Sequence, residues 1–565
     1  LAVGKDAAGK LVANPNPGKL TPVTDSSASG SAWATGTKTY NNAVDVDIYG
    51  NPQLNLFELA KAAGKATGNV STAEIQDATP AVLESHSTER ACYGPQGKTD
   101  GTSNNASKQC LANQLKENGG IGSISEQLLD TRADVTIGGG SKYFRQTVQG
   151  GEYKGKTVWE QAKDMGFQTV ENDPAAMNAL QYKDGQPVLA LMSDGNMPTK
   201  FNPSKATAKD PAKDANPTVC TPNDAWLGNR GASLKDMTKK ALDLLNANPN
   251  GQKNGFLLQV EGASIDKQDH NANACGQIGE TDDFDQAIAY AIKNVDLTNT
   301  LVIVTADHAH TSQVLNAQPA YALSTVLKSA DGNNMVVSYG TAQEASTDAE
   351  GGYNGGDMEH TGTQLRIAAS GPGAQRVIGL TDQTDNFYTI AGALGLATSP
   401  DEQNALSKDG TVKVARTQAG KYVANVDGFN GDALLSYELK DKNGAVVSKS
   451  DSSTPLSGVR VKPAQTTSIA LDKMSEGAEY TLTVTGRQSG KVATVAIQAP
   501  AAGSADKKPG ADKNGVIASG KVPNDSAVSG PLGATGTAVM AIAIAAVMLV
   551  AIAMLIKAAR NARNN

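Results

Sequence analysis

Short apolar runs alternate with helical patterns through residues 1–398 of the chain. The runs are bounded by turn residues, which is typical of buried strands in a parallel sheet; they are Val135–Gly140, Val188–Met192, Phe256–Val260 and Leu301–Thr305. The segments Leu54–Ala63 and Met237–Leu245 have helical spacing. This alternation predicts a three-layer α/β/α domain with a central, mostly parallel sheet, whose functional side chains lie at the carboxyl ends of strands.

The pattern changes to closely spaced short strands in residues 400–500. These are residues 422–426, 434–439, 468–471, 480–484 and 492–497, and Asp441-Lys442-Asn443-Gly444 is a hairpin-turn signal. They predict a small, all-β sandwich domain of immunoglobulin or fibronectin type. Its simplest role is that of a spacer, and a carbohydrate- or wall-binding role is the alternative. Residues 501–531 are rich in Ala, Gly, Ser, Lys, Asp and Pro, which predicts a flexible linker.

The segment 532–565 has the composition of a surface anchor. Residues Thr537–Ile556 are apolar over a length that spans a bilayer as a helix, so they predict a C-terminal transmembrane helix. A basic tail follows, which favours a cytoplasmic end and places the preceding chain outside the cell. Its basic residues are Lys557, Arg560 and Arg563.

Just before this run, Leu532-Gly533-Ala534-Thr535-Gly536 is similar to the Leu-Pro-x-Thr-Gly signal that sortases cleave between Thr and Gly, with Gly533 in place of Pro. Sortase cleavage would fall between Thr535 and Gly536 and would attach the protein to the cell wall. The alternative is a retained transmembrane anchor. Both lead us to expect an extracellular protein on the cell surface.

Composition narrows the possible functions. Lys and Arg number 50 against 57 Asp and Glu, and a net charge of −7 argues against nucleic acid as a partner. The 4 cysteines form no C-x-x-C pair, which favours two disulfides outside the cytoplasm over a zinc knuckle. All three pairings remain open at this point, as do four reduced, buried thiols.

Histidine is scarce, with only 5 in the chain, and four of them stand beside carboxylates. Glu261 and Asp266–His270 follow one predicted strand, Asp307–His310 follow the next, and Glu359-His360 lies farther on. Any one of these residues alone would more often be an exposed polar loop residue. Together, nitrogen and oxygen ligands without thiolate predict catalytic zinc with a harder, all-oxygen position for magnesium.

The segment Val23–Ala32 carries a second candidate group, the hydroxyl of Ser26. The residues after Ser26 are small, which allows a helix to begin there in tight contact with a sheet. A serine at a helix N-terminus can meet an anion, and a neighbouring metal ion can activate its hydroxyl. Alone, this pattern is more often a turn or an N-cap.

Residues 21–396, about two-thirds of the chain, resemble the bacterial alkaline phosphatases. The resemblance rests on five specific segments that occur in order along the chain. They are residues 24–36, 68–80, 259–270, 305–310 and 359–362. The resemblance implies an enzyme that hydrolyses a broad range of phosphate monoesters in two in-line displacements through a phosphoserine. It also implies two Zn²⁺ ions, one Mg²⁺ ion and a homodimer.

The resemblance further implies a role for each matching residue. Ser26 is the nucleophile and Arg90 holds the phosphate; Asp266, His270 and His360 hold the first zinc; Asp307 and His308, with Ser26, hold the second; Thr79 and Glu261 hold magnesium; Asp77, Lys267 and His310 act behind these groups; Cys92 pairs with Cys110, and Cys220 with Cys275.

One family motif is missing. Alkaline phosphatases have an Asp-Gly-Met-Gly strand end whose Asp bridges the second zinc and magnesium, and residues 1–20 contain none. Asp194-Gly195-Asn196-Met197 matches only superficially, because it lies too late in the chain. We interpret the sequence as truncated, with the N-terminal strand of the domain missing. The alternatives are a catalytically impaired surface protein for binding or adhesion, and a phosphodiesterase of the same superfamily; a sulfatase is disfavoured because no C/S-x-P-x-R motif is present.

Overall fold

The structure is a computed structural model that describes residues 22–96, 110–226, 232–342, 358–417, 419–500 and 515–523, with two short strands nearer the N-terminus. Its helices are α1 (Ser26–Thr35), α2 (Leu56–Ala62), α3 (Ala78–Ala81), α4 (Ile124–Thr131), α5 (Ser141–Phe144), α6 (Val158–Asp164), α7 (Pro174–Ala179), α8 (Pro211–Ala215), α9 (Leu234–Ala247), α10 (Pro249–Asn254), α11 (Ser264–His270), α12 (Ala274–Asn294), α13 (Gln383–Leu394) and α14 (Pro400–Ala405). Short 3₁₀ turns cover Lys116–Asn118 and Ala374–Val377.

The strands are β1 (Gly4–Lys5), β2 (Leu11–Val12), β3 (Ala66–Glu74), β4 (Val135–Gly139), β5 (Gln168–Glu171), β6 (Val188–Leu191), β7 (Phe256–Glu261), β8 (Val302–Thr305), β9 (Ala309–His310), β10 (Ser312–Leu315), β11 (Leu323–Lys328), β12 (Asn334–Tyr339), β13 (His360–Thr361), β14 (Ile367–Ser370), β15 (Thr411–Arg416), β16 (Tyr422–Asp427), β17 (Leu434–Asp441), β18 (Val446–Lys449), β19 (Val459–Arg460), β20 (Thr467–Ala470), β21 (Glu479–Gly486), β22 (Val492–Gln498) and β23 (Val516–Lys521).

A parallel sheet forms the centre of the first domain. Its strand order is β5-β6-β4-β3-β7, and every pairing within it is parallel. The strand β6 shows how the sheet is covered: Val188 and Ala190 belong to the core under α9, whereas Leu189 and Leu191 belong to the core under α4 and α6. Because successive side chains of a strand point to opposite faces, both faces are covered by helices. The predicted α/β fold with a central parallel sheet is confirmed.

The predicted strand at 301–305 forms, but its expected parallel pairing is wrong. In the described part of the chain, β8 pairs antiparallel with β14, with Val304 opposite Ala368, and does not join the five-stranded sheet. An apolar run indicates that a strand can be buried, but it carries no information on the direction of its neighbour. Both β7 and β8 are only partly buried.

The described residues between 411 and 522 form two antiparallel sheets around a separate core. One has the order β20-β16-β15-β23, and the other contains β18, β17, β21 and β22 in that order, with β19 beside β17. Side chains from both sheets, such as Val412, Val426, Leu482 and Ile497, share one buried cluster. At the predicted hairpin turn, the Asp441 carboxylate accepts hydrogen bonds from the backbone N–H groups of residues 443 and 445.

Part of the predicted linker 501–531 is a strand, which corrects that expectation. The strand β23 lies within it and pairs antiparallel with β15. The composition of the whole segment does not reveal the short run Val516–Ile517–Ala518. Its β-branched residues favour a strand. Ile517 and Ala518 pack against the core that the two sheets share.

The two-sheet unit packs directly against the α/β domain. Leu434 and Leu456 share a buried cluster with Tyr40, Val46 and Ile121. Two backbone hydrogen bonds join the units, because Ile121 N–H donates to Leu456 O (3.2 Å) and Gly458 N–H donates to Gly119 O (3.1 Å). The unit therefore has a specific docked position, which a simple spacer does not require.

Two further predictions concern the cysteines and the C-terminus. Cys92 is bonded to Cys110 and Cys220 to Cys275, so the pairing implied by the resemblance is confirmed. Within the described ranges, no helix combines the length and apolarity needed to cross a membrane. The predicted span Thr537–Ile556 and the sorting signal at residues 532–536 lie outside those ranges.

Candidate active site

Ser26 is the first residue of α1. Asp25 caps this helix, since its side chain accepts hydrogen bonds from the Ala28 N–H (2.9 Å) and the Ser27 hydroxyl (2.7 Å). The small residues after Ser26 have a packing reason: a Cβ at Gly30 would lie 2.9 Å from Val82 Cγ1. The sequence thus places the Ser26 hydroxyl at a helix N-terminus, where backbone N–H groups favour an anion.

Four imidazoles converge on one carboxylate oxygen of Asp266. Oδ1 of Asp266 lies 2.6 Å from His310 Nε2, 3.4 Å from His270 Nε2, 3.4 Å from His360 Nε2 and 3.8 Å from His308 Nε2. Helix α11 supplies Asp266 and His270, while the pairing of β9 with β13 sets His310 opposite His360. Burial would raise the pKa of Asp266, but hydrogen bonds to His310 and His360 hold it below its usual range.

The donor set fits metal ions. Nδ1 of His270 faces Met358 O at 2.7 Å, and Nδ1 of His360 faces Thr24 O at 2.9 Å. A ring nitrogen that faces a carbonyl oxygen carries a hydrogen, so in the neutral rings both Nε2 atoms present lone pairs. These two Nε2 atoms are only 3.0 Å apart. A cation beside them satisfies both, and metal-ligating histidines commonly donate their other N–H to a backbone carbonyl.

The pKa values of these histidines are shifted in different directions. Burial lowers the pKa of His360, but its bonds to Asp266 and to Thr24 O raise the pKa overall. Burial also lowers the pKa values of His270 and His308, which keeps those rings neutral and able to act as ligands. One ligand atom from each of Asp266, His308, His310 and His360 falls in a group within 4.8 Å of one another.

Ser26 lies at the edge of this cluster. Its Oγ is 2.9 Å from Nε2 of His308, and the same Nε2 is 3.2 Å from Oδ2 of Asp307. The Ser29 hydroxyl donates to Asp307 Oδ2 at 3.4 Å, so the first turn of α1 contacts both residues. The residues predicted for the second zinc are therefore brought together.

The residues predicted for magnesium lie on adjacent elements. Glu261 ends β7, and its Oε2 accepts a hydrogen bond from the Ser71 hydroxyl at 2.5 Å. Thr79 lies in α3, and its carbonyl oxygen accepts from Gln259 of β7 at 3.0 Å. Burial raises the pKa of Glu261 to about 7, against the lowering effects of Ser71 and Lys267. An added cation would offset this cost of an ionised carboxylate.

Charged side chains hold Arg90 beside Asp25, the residue before Ser26. Arg90 Nη1 lies 3.1 Å from Asp25 Oδ2, and its Nη2 lies 2.9 Å from Asp77 Oδ1. Nζ of Lys267 lies 2.6 Å from Asp77 Oδ2. Burial would lower the pKa of Lys267, but Asp77 raises it above its usual range. Two cations fixed in this way can bind a tetrahedral oxyanion next to Ser26.

Comparison with known proteins agrees with this geometry. The alkaline phosphatase family model matches residues 10–396. The chain belongs to the alkaline phosphatase family. It is 51% identical over 386 residues to the alkaline phosphatase of Escherichia coli (strain K12), covering 68% of this chain and 76% of the relative. It is 50% identical over 385 residues to alkaline phosphatase H of Pseudomonas aeruginosa (strain UCBPP-PA14), covering 66% and 74%.

Among solved structures, the chain is similar to Thermus thermophilus alkaline phosphatase, at 22% identity and a TM-score of 0.46, covering 67% of this chain and 81% of that one. The family match confirms the predicted enzyme class, a phosphoric monoester hydrolase. The match ends at residue 396, so it does not include the two-sheet unit.

Sequence reasoning missed several residues of this alkaline phosphatase site. Ser71 lies in the segment that was recognised at 68–80, and the parallel register of β3 and β7 sets it opposite Glu261. In the sequence Asp25 is only one residue of the serine motif, and no pattern distinguishes Tyr93, whose hydroxyl donates to Asp77 Oδ1 at 2.6 Å. The Asp194 carboxylate, the superficial motif match, bonds instead to Ser141 and Arg145.

Proposed function

We propose that this protein hydrolyses phosphate monoesters to an alcohol and inorganic phosphate with Ser26 as the nucleophile. The carrying observation is that Ser26 Oγ, at the start of α1, lies 2.9 Å from His308 Nε2 within the histidine–carboxylate cluster. The guanidinium of Arg90 is held on the same side by the neighbouring Asp25. A nucleophile, a cluster of metal-ligating side chains and an oxyanion-binding fork are the parts that phosphoryl transfer needs.

We assign metal ions to the cluster on the chemistry of its donors. Asp266, His270 and His360 would hold one Zn²⁺; Asp307, His308 and Ser26 would hold the second; Thr79 and Glu261 would hold Mg²⁺. When bound, such ions lower the pKa of a coordinated hydroxyl and stabilise negative charge on the entering and leaving oxygens. His310 orients Asp266 through their 2.6 Å contact.

The protein's own groups bind and orient the phosphate. The fork of Arg90 would take two non-transferring phosphate oxygens, which places the phosphorus in line with Ser26 Oγ. The bond from Oγ to phosphorus forms as the bond to the alcohol oxygen breaks. Water then attacks the phosphoserine, and the Oγ–phosphorus bond breaks to release inorganic phosphate. Asp77 keeps Lys267 and Arg90 in place through both steps.

We also propose an extracellular location. The two disulfides support it, because such bonds form and persist in oxidising compartments. The segment 532–565 would anchor the protein to the cell surface, either through sortase cleavage at Thr535 or as a retained membrane helix. We further propose that the protein forms a homodimer, as the family resemblance implies. The β-sandwich is proposed as an accessory domain with boundaries near 400 and 522.

The test is hydrolysis of p-nitrophenyl phosphate by the full chain with zinc and magnesium at alkaline pH. The Ser26→Ala variant should lose turnover by a factor of at least about 10³ while still binding inorganic phosphate. Ser193→Ala is the matched control, because Ser193 is remote from α1 in sequence and its hydroxyl donates to Asn196 O within its own loop. Full turnover in Ser26→Ala, or faster hydrolysis of bis(p-nitrophenyl) phosphate than of the monoester, would contradict the proposal.

A further inference from the structure

The contact between the two domains contains a buried ion pair. Arg460 of β19 places Nη1 2.8 Å from Oε1 of Glu58 in α2, and both side chains are at most 4% exposed. Nη2 of Arg460 donates to the Thr131 hydroxyl at 3.1 Å. On the other side, Nε2 of His86 lies 2.9 Å from the same Oε1 of Glu58. One carboxylate thus joins a side chain of the two-sheet unit to a histidine of the phosphatase domain.

His86 begins a short segment that ends at Arg90. Nδ1 of His86 bonds to Asp45 O at 2.9 Å. One residue on, Ser87 exchanges two backbone hydrogen bonds with Val44, at 2.8 and 2.9 Å. The segments 42–46 and 86–90 therefore run side by side as a paired unit.

The far end of this paired unit reaches the active site. The Arg90 N–H donates to Asn42 O at 2.8 Å, and the Asn42 N–H donates to Asp25 Oδ2 at 3.0 Å. Arg90 Nη1 contacts the same Asp25 oxygen at 3.1 Å. The backbone of Arg90 and the carboxylate that orients its guanidinium are thus both attached to segment 42–46.

The end of this paired unit that lies next to Glu58 depends on the charge of Arg460. Burial would raise the pKa of Glu58, but His86 and Arg460 together lower it to about 2, so Glu58 is ionised. Asp45 is fully buried nearby, and burial raises its pKa well above the usual value. Removing one member of a buried, charged group leaves the others uncompensated, which shifts the segments that carry them.

We propose that Arg460 of the two-sheet unit is a positioning residue for Arg90, acting through Glu58, His86 and the paired segments 42–46 and 86–90. The inference rests on the proposed phosphate-binding role of Arg90. In this role, the two-sheet unit keeps the phosphate-binding guanidinium of Arg90 aligned with Ser26.

The test compares Arg460→Met with Lys462→Met in the full chain. Lys462 is a neighbouring interface cation, 3.6 Å from Asp130, that lies outside the chain of contacts to Arg90. Arg460→Met should raise the inhibition constant of inorganic phosphate and the KM for p-nitrophenyl phosphate on the order of 3- to 10-fold, with a smaller change in kcat. Lys462→Met should change neither, and Arg460→Lys should restore part of the loss because it keeps the charge.

A double-mutant cycle with Arg90→Ala separates positioning from general damage to the structure. If Arg460 acts through Arg90, then Arg460→Met has no further effect on phosphate inhibition in the Arg90→Ala background. An equal effect in both backgrounds, or equal behaviour of Arg460→Met and Lys462→Met, overturns the inference while the proposed function stands. A folded wild-type protein without turnover overturns both.

Where Arg460→Met does not fold, the double variant Glu58→Gln/Arg460→Met takes its place, because it removes both buried charges together. The same rise in the phosphate inhibition constant, again absent in the Arg90→Ala background, supports the inference. An inhibition constant equal to that of the wild type overturns it.

Discussion

Nε2 of His270 and Nε2 of His360 face each other at a distance of 3.0 Å. Both rings are oriented from behind by carbonyl oxygens, so the lone pairs point at a shared position. Together with Asp266, they form a donor set that would suit a cation, while the lysine of the same helix, Lys267, is paired with Asp77.

Removal of metal should therefore both inactivate and destabilise the protein. Dialysis against EDTA is expected to abolish turnover and to lower the midpoint of thermal unfolding, since an ion that binds only the folded state stabilises it by mass action. Zinc should restore both properties, and a mock dialysis is the control. Metal content measured on the same samples checks the result: turnover that persists in metal-free protein would refute the assignment.

Glu84 should make stability fall as pH rises. It is fully buried, where it accepts hydrogen bonds from Asn69 and Thr136, and burial raises its pKa to about 8. The folded state therefore holds a proton that the unfolded state releases above pH ~4.5. The favourable contribution to the free energy of unfolding is complete below that pH and is lost up to about pH 8.

The Glu84→Gln variant should consequently lose this part of the pH dependence. Relative to the wild type, it should gain stability between pH 5 and pH 9, on the order of a few kcal/mol. Urea unfolding at several pH values measures the difference, with Glu117→Gln, at an exposed position, as the control. Parallel stability curves for wild type and Glu84→Gln would show that Glu84 is ionised in the folded protein at neutral pH.

The disulfide Cys220–Cys275 should contribute measurably to stability. It joins residues 55 positions apart and attaches the segment before α9 to the first turn of α12. Replacing both cysteines with alanine should lower the free energy of unfolding by about 2–4 kcal/mol, since the unfolded chain is less constrained. Reductant should lower the unfolding midpoint of the wild type but not that of a variant without cysteines. An unchanged midpoint in the wild type would contradict the prediction.

Local patterns predicted the parts of this protein that depend on neighbours in sequence. The strands at 135–139 and 188–191 follow from short apolar runs, and the small residues after Ser26 indicate a closely packed helix start. The clustering of His308 and His360 with Asp266 was expected from scarce histidines placed at strand ends and from the family motifs.

Contacts between distant segments could not be found in this way. Ser71 and Glu261 meet because β3 and β7 are parallel neighbours, and no periodicity records that register. The pairing of β8 with β14 and the presence of β23 beside β15 have the same origin. Arg460 looks like an ordinary strand residue in sequence, because its partner Glu58 lies in another domain.

The ion pair of Arg460 with Glu58 also sets an order in time. A chain is synthesised from its N-terminus, and domains generally fold as they emerge. The segments that carry Glu58 and His86 are made long before β19, and until β19 arrives the Glu58 carboxylate has His86 and the Asn55 N–H as partners but lacks Arg460. If Arg460 positions Arg90 as proposed, the phosphatase domain reaches its final active-site geometry only after the two-sheet unit has folded onto it.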